Sequence, residues 1–278
     1  MKLSIITVNL NNRDGLQRTI DSVVSQTFTD YEWIIIDGGS TDGSRELIEQ
    51  YQDHFAYWCS EPDKGIYNAM NKGIAHAQGE WLQFLNSGDW LCDSTTLERC
   101  FAHKFDADIV YGDLYLCQSN QIMPKKHPDL ITLRYLLNNT LCHNATFIRN
   151  IILQSDNFNE KLKIVSDREF FFKQILNNKT FKHINEFLIC YDMNGISATN
   201  GELMAIERDN VIKQLIPEAL LVDYRQMEKM EKALNETTIN KVLKYGKKRR
   251  IFHKMITGCL LIIELLDKML WKKGKSQS

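Results

Sequence analysis

The chain has 278 residues, of which 44% are hydrophobic and 25% are charged, so it is long enough for one large or two small globular domains. Its seven cysteines are scattered without a CxxC pair, which favours reduced thiols over a disulfide framework and predicts a cytosolic protein. The apolar run near the N-terminus is too short for a signal peptide, so we expect no export.

The formal net charge of −1 hides a strong asymmetry along the chain. Residues 241–278 contain eleven of the 34 Lys and Arg but only two of the 35 Asp and Glu, a net charge of +9, which leaves −10 for residues 1–240. An acidic body argues against a nucleic-acid-binding protein. The basic tail predicts a separate surface for an anionic partner.

Buried strands and amphipathic helices alternate in the first part of the chain. Apolar, β-branched runs predict the strands, and apolar residues at helical spacing predict the helices between them. In order, the expected elements are strands at 2–8, 31–36, 55–59 and 81–85, with helices at 16–24, 44–51 and 66–77. This βαβαβαβ order implies a parallel sheet with helices on its faces.

After residue 92 the alternation loosens, although strands and helices continue. The expected elements are strands at 109–111, 113–117, 145–148, 181–184 and 187–191, with helices at 95–103, 130–137 and 166–176. Ser166 and Glu169 have the spacing of a capping box at the start of the last helix. Only helical patterns follow residue 201, which predicts an α/β domain at 1–200 and a helical extension at 201–278.

Three loops that follow predicted strands each carry an aspartate: Asp37, Asp63 and Asp89. Because the carboxyl ends of parallel strands meet at one edge of a sheet, we expect these carboxylates to define one ligand site. Asp37 and Asp63 could accept hydrogen bonds from a base and a ribose, while Lys64 could offset phosphate charge. Asp89 ends the turn 86–89 and could hold a hard cation.

Two common nucleotide-binding motifs are absent from the sequence. No G-x-G-x-x-G follows the first strand, and no G-x-x-x-x-G-K-[ST] occurs anywhere, which argues against a typical dinucleotide dehydrogenase and against a P-loop NTPase. A metal ion is the usual substitute where a glycine-rich phosphate cradle is missing.

Four ordered motifs resemble the family-two inverting glycosyltransferases of the GT-A fold: SIITVNLN, IIIDGGSTDGS, EPDKGIYNAMNKGIAHAQGEWLQFLNSGD and VSDREFF. The resemblance covers about residues 1–195. It implies a Rossmann-like, mostly parallel α/β sheet flanked by helices, with 1–200 as the catalytic domain, 1–92 as its nucleotide-sugar half and 93–200 as its acceptor half. It also implies a nucleotide-sugar donor, typically a UDP-sugar, and Mn²⁺ or Mg²⁺ as cofactor.

The resemblance assigns roles to individual residues. Asp37 would read the base, Asp63 would lie near the ribose and diphosphate, and Asp89 would be the last acidic position of the D-x-D metal motif. Asp167 would match the catalytic base, and His143 would lie near the acceptor. The residues expected to bind the nucleotide-sugar are Thr7, Val8, Asn9, Asp37, Asp63, Lys64, Asn71, Ser87 and Gly88.

The chain departs from the family pattern near the expected metal. Ser87 stands at the first position of the D-x-D motif, so we expect a weakly held metal that relies on phosphate oxygens and water. Gly38 stands where the family often has a second Asp. The Q-x-x-R-W signature of processive synthases is absent, which predicts transfer of a single sugar.

The expected reaction needs one carboxylate to take the proton of the acceptor hydroxyl, and Asp167 is the candidate. Attack from the face opposite the leaving diphosphate predicts inversion at the anomeric carbon. An aspartate near a helix N-terminus is also stabilised by the helix dipole without a catalytic role. His143 could equally be an ordinary core or surface histidine.

A basic stretch at residues 244–254 precedes an apolar stretch at residues 256–271. The apolar stretch is interrupted by charges and is a poor spanning helix, but its wide apolar face and basic flank suit a helix lying in an anionic membrane surface. The alternative is a helix that packs on the catalytic domain or on a second copy in a homo-oligomer.

Together these features predict a cytoplasmic enzyme on the inner face of the cytoplasmic membrane. It would add one sugar to a lipid-linked saccharide in the synthesis of bacterial surface polysaccharide, such as O-antigen, capsule or exopolysaccharide. Two alternatives stay open: a sugar nucleotidyltransferase, and a non-catalytic nucleotide-sugar-binding scaffold. Neither the body nor the motifs predict a nucleic-acid partner.

Overall fold

The computed structural model describes residues 1–118, 121–193 and 200–236, together with Gly258 and Leu261. The chain divides into two compact units, Met1–Leu215 and Ile216–Ser278. The basic stretch 244–254 lies outside the described residues, as does most of the apolar stretch that follows it. No helix among the described residues is long and apolar enough to cross a membrane.

The first unit is an α/β domain. Its strands are β1 Leu3–Asn9, β2 Tyr31–Asp37, β3 Tyr57–Ser60, β4 Trp81–Phe84, β5 Trp90–Leu91, β6 Ile109–Gln118, β7 Gln121–Lys125, β8 Thr146–Arg149 and β9 Phe181–Asp192. Its helices are α1 Arg13–Val24, α2 Ser44–Gln50, α3 Ile66–His76, α4 Thr96–Ala102, α5 Leu133–Asn138, α6 Asn150–Ser155, α7 Ser166–Leu176 and α8 Gly201–Leu215. Short 3₁₀ turns occur at Gln52–His54 and His143–Ala145. The second unit contains α9, Glu218–Glu236.

The first four strands form a parallel block in the order β3-β2-β1-β4. Every residue of β1 and β4 is buried, as expected for parallel strands covered on both faces. The register pairs Asn9 with Asp37 at the ends of β1 and β2, so the loops that follow these strands start side by side. The predicted parallel arrangement is confirmed for this half of the sheet.

The second half of the sheet is mixed. β8 runs antiparallel to both β4 and β6, β5 runs antiparallel to β9, and β7 forms a hairpin with β6, whereas β6 and β9 are parallel. The α/β sheet flanked by helices is therefore as expected. The antiparallel strands of its second half were not predicted, because hydrophobic patterns indicate which residues are buried and not the direction of each strand.

Several elements differ from the sequence-based expectation. The two strands predicted on either side of residue 112 are one strand, β6, and those predicted on either side of residue 185 are one strand, β9. β5, β7 and α6 were not predicted, because each is too short or too exposed to show a hydrophobic period.

Candidate active site

A cavity of about 670 Å³ lies beside the carboxyl ends of β1 and β4. Its volume is within the range of pockets that enclose small-molecule ligands. Most of the predicted site residues line it, and they come from both halves of the domain. They are Val8, Asn9, Asp63, Ser87, Asp89, His143 and Asp167. The structure thus brings the predicted donor and acceptor residues together.

Asp89 lines the cavity but is only 5% exposed. Its Oδ1 accepts a hydrogen bond from the backbone N–H of Asp192 at 2.7 Å, and its Oδ2 accepts a short one from Asn144 Nδ2. Burial raises the pKa of Asp89 to about 7 even though both hydrogen bonds favour the charged form. The two hydrogen bonds therefore do not offset the cost of burying the charged Asp89 carboxylate. A nearby cation would favour its ionised form.

Asp37 does not line the cavity. It is fully buried and accepts hydrogen bonds from Asn9 Nδ2 at 2.7 Å, from the N–H and Oγ of Ser40 at 2.9 and 2.6 Å, and from Ser60 Oγ at 2.6 Å. Burial alone would raise the pKa of Asp37, but the four donors outweigh it and hold the pKa below its ordinary value. The predicted contact of Asp37 with a base stays a prediction. In this structure the Asp37 carboxylate ties three loops together.

Three more predicted donor contacts lie away from the cavity wall. Thr7 is fully buried and accepts a hydrogen bond from Trp33 Nε1 at 3.0 Å, because its side chain packs in the core of the sheet. Lys64 is exposed on the loop after β3. Gly88 uses a φ of +103° to form its turn, and its N–H donates to Thr19 Oγ1 at 3.1 Å. These residues shape the site without lining it.

Asn71 also has a structural role. From α3, its Nδ2 donates to the carbonyl oxygen of Phe158 at 2.8 Å and to Glu160 Oε1 at 2.9 Å, and its Oδ1 accepts from the Phe158 N–H at 3.0 Å. The amide therefore fixes the loop before α7 to α3. The predicted contact of Asn71 with the donor stays a prediction, and Asn71 does not line the cavity.

Asp167 and His143 form a pair on the cavity wall. His143 Nδ1 lies 3.1 Å from Asp167 Oδ2, and His143 Nε2 lies 3.3 Å from Asn86 Nδ2. The Tyr67 hydroxyl lies 3.2 Å from Asp167 Oδ1 and 2.7 Å from the carbonyl oxygen of Ile164. Burial, reinforced by the charge of Asp167, raises the pKa of Tyr67, so this phenol stays a donor. Asp167 is consequently oriented through both of its oxygens.

The start of α7, which carries Asp167, is held by a residue of α8. Glu207 is buried, and its carboxylate accepts the backbone N–H groups of Lys163 at 2.8 Å, Ile164 at 3.0 Å and Val165 at 3.3 Å. The predicted capping box is wrong, because Ser166 is already the first residue of the helix and its Oγ accepts from Asn159 N–H at 2.6 Å. The Glu207 carboxylate instead holds the segment that precedes α7.

Two buried acceptors on the cavity wall have no protein partner among the described residues. They are Asn9 Oδ1 and Asn86 Oδ1. An unsatisfied buried carbonyl oxygen is costly unless a ligand or water supplies a donor. The wall is therefore suited to a ligand rich in N–H or O–H groups, such as a nucleobase or a sugar.

The described residues contain no group of three acidic, histidine or cysteine side chains arranged to hold a metal ion. Mg²⁺, however, is commonly bound through one or two carboxylates together with substrate phosphates and water. Asp89, with its poorly compensated buried carboxyl group, fits that kind of site. A metal here would take most of its ligands from a bound diphosphate and from water.

Comparison with known proteins identifies the family. Residues 4–172 match the model of glycosyl transferase family 2. The chain belongs to this family. It is a family-2 glycosyltransferase with a GT-A-like α/β fold, and enzymes of this fold commonly use a divalent metal ion.

Two mycobacterial relatives illustrate the similarity. The uncharacterized glycosyltransferase Rv1514c of Mycobacterium tuberculosis is 51% identical over 88 residues, which are 31% of this chain and 34% of that protein. The PGL/p-HBAD biosynthesis glycosyltransferase Rv2957 of the same species is 29% identical over 220 residues, which are 77% of this chain and 82% of that protein. The second match therefore extends over most of both chains, whereas the first spans about a third of each.

A solved structure supports the fold of this family-2 glycosyltransferase. Staphylococcus aureus TarS 1–349 in complex with UDP-GlcNAc superposes with a TM-score of 0.63 at 20% identity, covering 79% of this chain and 69% of that chain. At this level of identity the similarity establishes the GT-A-like architecture alone.

Sequence reasoning missed several residues of the site in this family-2 glycosyltransferase. Tyr67 and Asn86 contact Asp167 and His143, yet Tyr67 reads as a core residue of α3 and Asn86 as an ordinary turn residue. Glu207 lies far along the chain, on a helix with no motif. The signal that could have identified Asn86 is its position directly after the predicted strand 81–85.

Proposed function

We propose that this family-2 glycosyltransferase is an inverting, non-processive enzyme that moves one sugar from a UDP-sugar to a hydroxyl group of a lipid-linked saccharide. The observation that carries the proposal is the joining of two sets of residues in one cavity. Asn9, Asp63 and Ser87 come from the nucleotide half, whereas His143 and Asp167 come from the acceptor half.

The donor side of the cavity suits a nucleotide-sugar. Asn9 is held by its Nδ2 to Asp37 and Ser40 Oγ, which leaves its buried Oδ1 available to a donor such as a base N–H. Asp63 lies beside Gly38, where a Cβ would approach its Oδ2 to 2.6 Å, so glycine makes room for this carboxylate. TarS, which shares the fold, binds UDP-GlcNAc, and this favours a UDP-sugar for the present chain.

The acceptor side suits removal of a proton. The acceptor oxygen would form the new bond to the anomeric carbon, the bond from that carbon to the diphosphate oxygen would break, and Asp167 would receive the hydroxyl proton. Attack opposite the leaving group inverts the anomeric configuration. His143 and Tyr67 orient the Asp167 carboxylate, and the helix N-terminus favours its negative charge.

The metal part of the proposal is Mn²⁺ or Mg²⁺ held by Asp89 together with donor phosphates. When bound, such an ion neutralises charge on the departing diphosphate. The protein contributes the position of Asp89, which the Asp192 N–H and the Asn144 amide fix within the cavity wall.

The acceptor and the location of the enzyme are proposed from the tail. A basic stretch at 244–254 followed by an apolar stretch at 256–271 favours an anionic membrane surface, and an enzyme held there would meet a lipid-linked saccharide. We therefore place the reaction at the inner face of the cytoplasmic membrane, in surface polysaccharide synthesis.

The test combines donor binding with turnover. The full chain is screened for thermal stabilisation by a panel of nucleotide-sugars with Mn²⁺ or Mg²⁺, and the best donor is then assayed for release of its sugar. We expect a UDP-sugar to stabilise the protein and to be turned over. Asp167→Asn should lose at least about 100-fold in turnover, the usual scale for a general base, while it still binds the donor.

Asp53→Asn, an exposed carboxylate remote from the cavity wall, is the matched control and should behave like the wild type. Failure of every nucleotide-sugar to stabilise the protein would overturn the proposed function. Full turnover by Asp167→Asn at saturating donor would overturn its assignment as the base.

A further inference from the structure

Three cationic side chains line the cavity, and all of them belong to the acceptor half. Lys125 ends β7, Lys163 precedes α7, and Arg168 lies in the first turn of α7. The described cavity wall before β5 contributes carboxylates but no Lys or Arg. Positive charge is thus segregated to the acceptor side of the site.

None of these cations forms an ion pair with a described residue. Among the described residues, no carboxylate oxygen lies within ion-pairing distance, 4.0 Å, of the charged nitrogens of Lys125, Lys163 or Arg168. Other cations of the domain are paired: Arg18 with Asp192 at 2.9 Å is one case. The acceptor side of the cavity therefore carries three cations that are not in ion pairs, while Asp63, Asp89, Asp167 and Asp192 also line the wall.

Arg168 is the deepest of the three and is 8% exposed. Its Nη2 donates to the carbonyl oxygens of Leu136 at 2.6 Å and Leu137 at 2.8 Å, at the end of α5, while its buried Nε has no partner among the described residues. Burial lowers the pKa of Arg168 to about 10. Asp167 and Asp209 favour the charged form of Arg168, but neither is within ion-pairing distance of its guanidinium. An anion supplied by a ligand would therefore stabilise this buried charge further.

We propose that Lys125, Lys163 and Arg168 form an anion-binding subsite for a phosphate group. Arginine presents a planar fork of N–H donors that matches phosphate, and lysine supplies a mobile point charge at exposed positions. The inference rests on the proposed function in that this cavity is the active site. The phosphate has two possible sources, the diphosphate of the donor or a phosphate carried by the acceptor.

A purely structural role for Arg168 would explain its bonds to the end of α5, since cations commonly interact with terminal helix carbonyls. It would not explain why two further unpaired lysines line the same cavity. The lysines also give the cleaner variants, because both are exposed and alanine at either position should fold normally.

The test measures binding of inorganic pyrophosphate to the full chain by calorimetry, without metal or sugar. The double variant Lys125→Ala, Lys163→Ala should bind pyrophosphate at least tenfold more weakly than the wild type. Lys161→Ala, an exposed lysine two residues away that does not line the cavity, is the matched control and should bind normally. Arg168→Lys keeps the charge without the fork and should bind with intermediate affinity.

The same titration after saturation with UDP distinguishes the two sources. Loss of pyrophosphate binding would identify the subsite with the donor diphosphate, whereas retained, lysine-dependent binding would assign it to an acceptor phosphate. Pyrophosphate affinity that is undetectable at millimolar concentration, or that is equal in the double variant and the Lys161→Ala control, would overturn the subsite. Because no turnover is measured, failure of the proposed transferase reaction would be seen separately.

Discussion

Replacement of Asp37 by asparagine tests how the nucleotide half of the site is built. The carboxylate joins the end of β1 through Asn9, the loop after β2 through Ser40, and the end of β3 through Ser60. An amide has one acceptor oxygen where the carboxylate has two. Asp37→Asn would therefore place an N–H₂ group against two of the four donors.

The expected loss of stability follows from these contacts. A hydrogen bond to a charged group contributes roughly 1.5–3 kcal/mol, so two lost bonds would cost about 3–6 kcal/mol, and rotation of the serine hydroxyls should recover part of it. We expect Asp37→Asn to lower the free energy of unfolding by about 3 kcal/mol. Because the folded pKa lies below the ordinary value of 3.8, this stabilisation is present above pH 3.8 and is lost only as the pH falls below it.

The assay is urea denaturation at pH 7, with UDP affinity measured in parallel. Asp63→Asn is the control, since Asp63 lines the cavity but accepts a single hydrogen bond from the described residues, from Gly65 N–H at 2.8 Å. We expect this variant to lower the free energy of unfolding by less than about 1 kcal/mol. If Asp37→Asn unfolded like the wild type and only lost UDP affinity, Asp37 would be a base contact and the reasoning from its four donors would be refuted.

Three further predictions concern side chains that support the rest of the domain. Tyr67→Phe removes the hydroxyl near Asp167 and should lower kcat about tenfold, with the donor KM unchanged, in steady-state kinetics. Glu207→Gln weakens the acceptor of three backbone N–H groups and should lower the free energy of unfolding by about 1–3 kcal/mol in denaturant titration. Burial lowers the pKa of His127, so the wild type should lose stability relative to His127→Gln as the pH falls through about 6.5.

Each of these three predictions would be contradicted by a specific result. A Tyr67→Phe enzyme with normal kcat would show that the hydroxyl only supports the loop at Ile164. A Glu207→Gln variant as stable as an exposed control, Glu231→Gln on α9, would show that the three N–H groups are satisfied by water. A stability difference between wild type and His127→Gln that stays constant from pH 8 to 5 would show that His127 is protonated as easily folded as unfolded.

The parallel half of the fold could be predicted because its signals are local. β1, β2 and β4 are continuous apolar runs, and the helices between them have clear helical spacing. In the other half, β6, β8 and β9 were predicted as strands, but their pairing was not, since it joins segments far apart in the chain. β5 is two residues long and pairs with β9, so nothing within its own sequence predicts a strand.

The candidate site was predictable in position but not in detail. Strand ends placed Asp63 and Asp89 on one edge, and both line the cavity. The sequence cannot show which polar atoms the protein uses itself. Asn71 illustrates this, because its position in a donor-like motif suggests a ligand contact, whereas Phe158 and Glu160 occupy its amide.

The contrast between Asp37 and Asp89 offers a physical criterion for proposing which buried carboxylates bind a ligand. Both follow parallel strands and both are buried. Asp37 receives four donors, enough to outweigh burial and depress its pKa, so the protein alone satisfies its charge. Asp89 receives two, too few to offset burial, and its pKa rises to about 7. A buried carboxyl group on a cavity wall whose charge the protein does not fully stabilise is costly to the fold, which is why we propose that Asp89 binds a ligand.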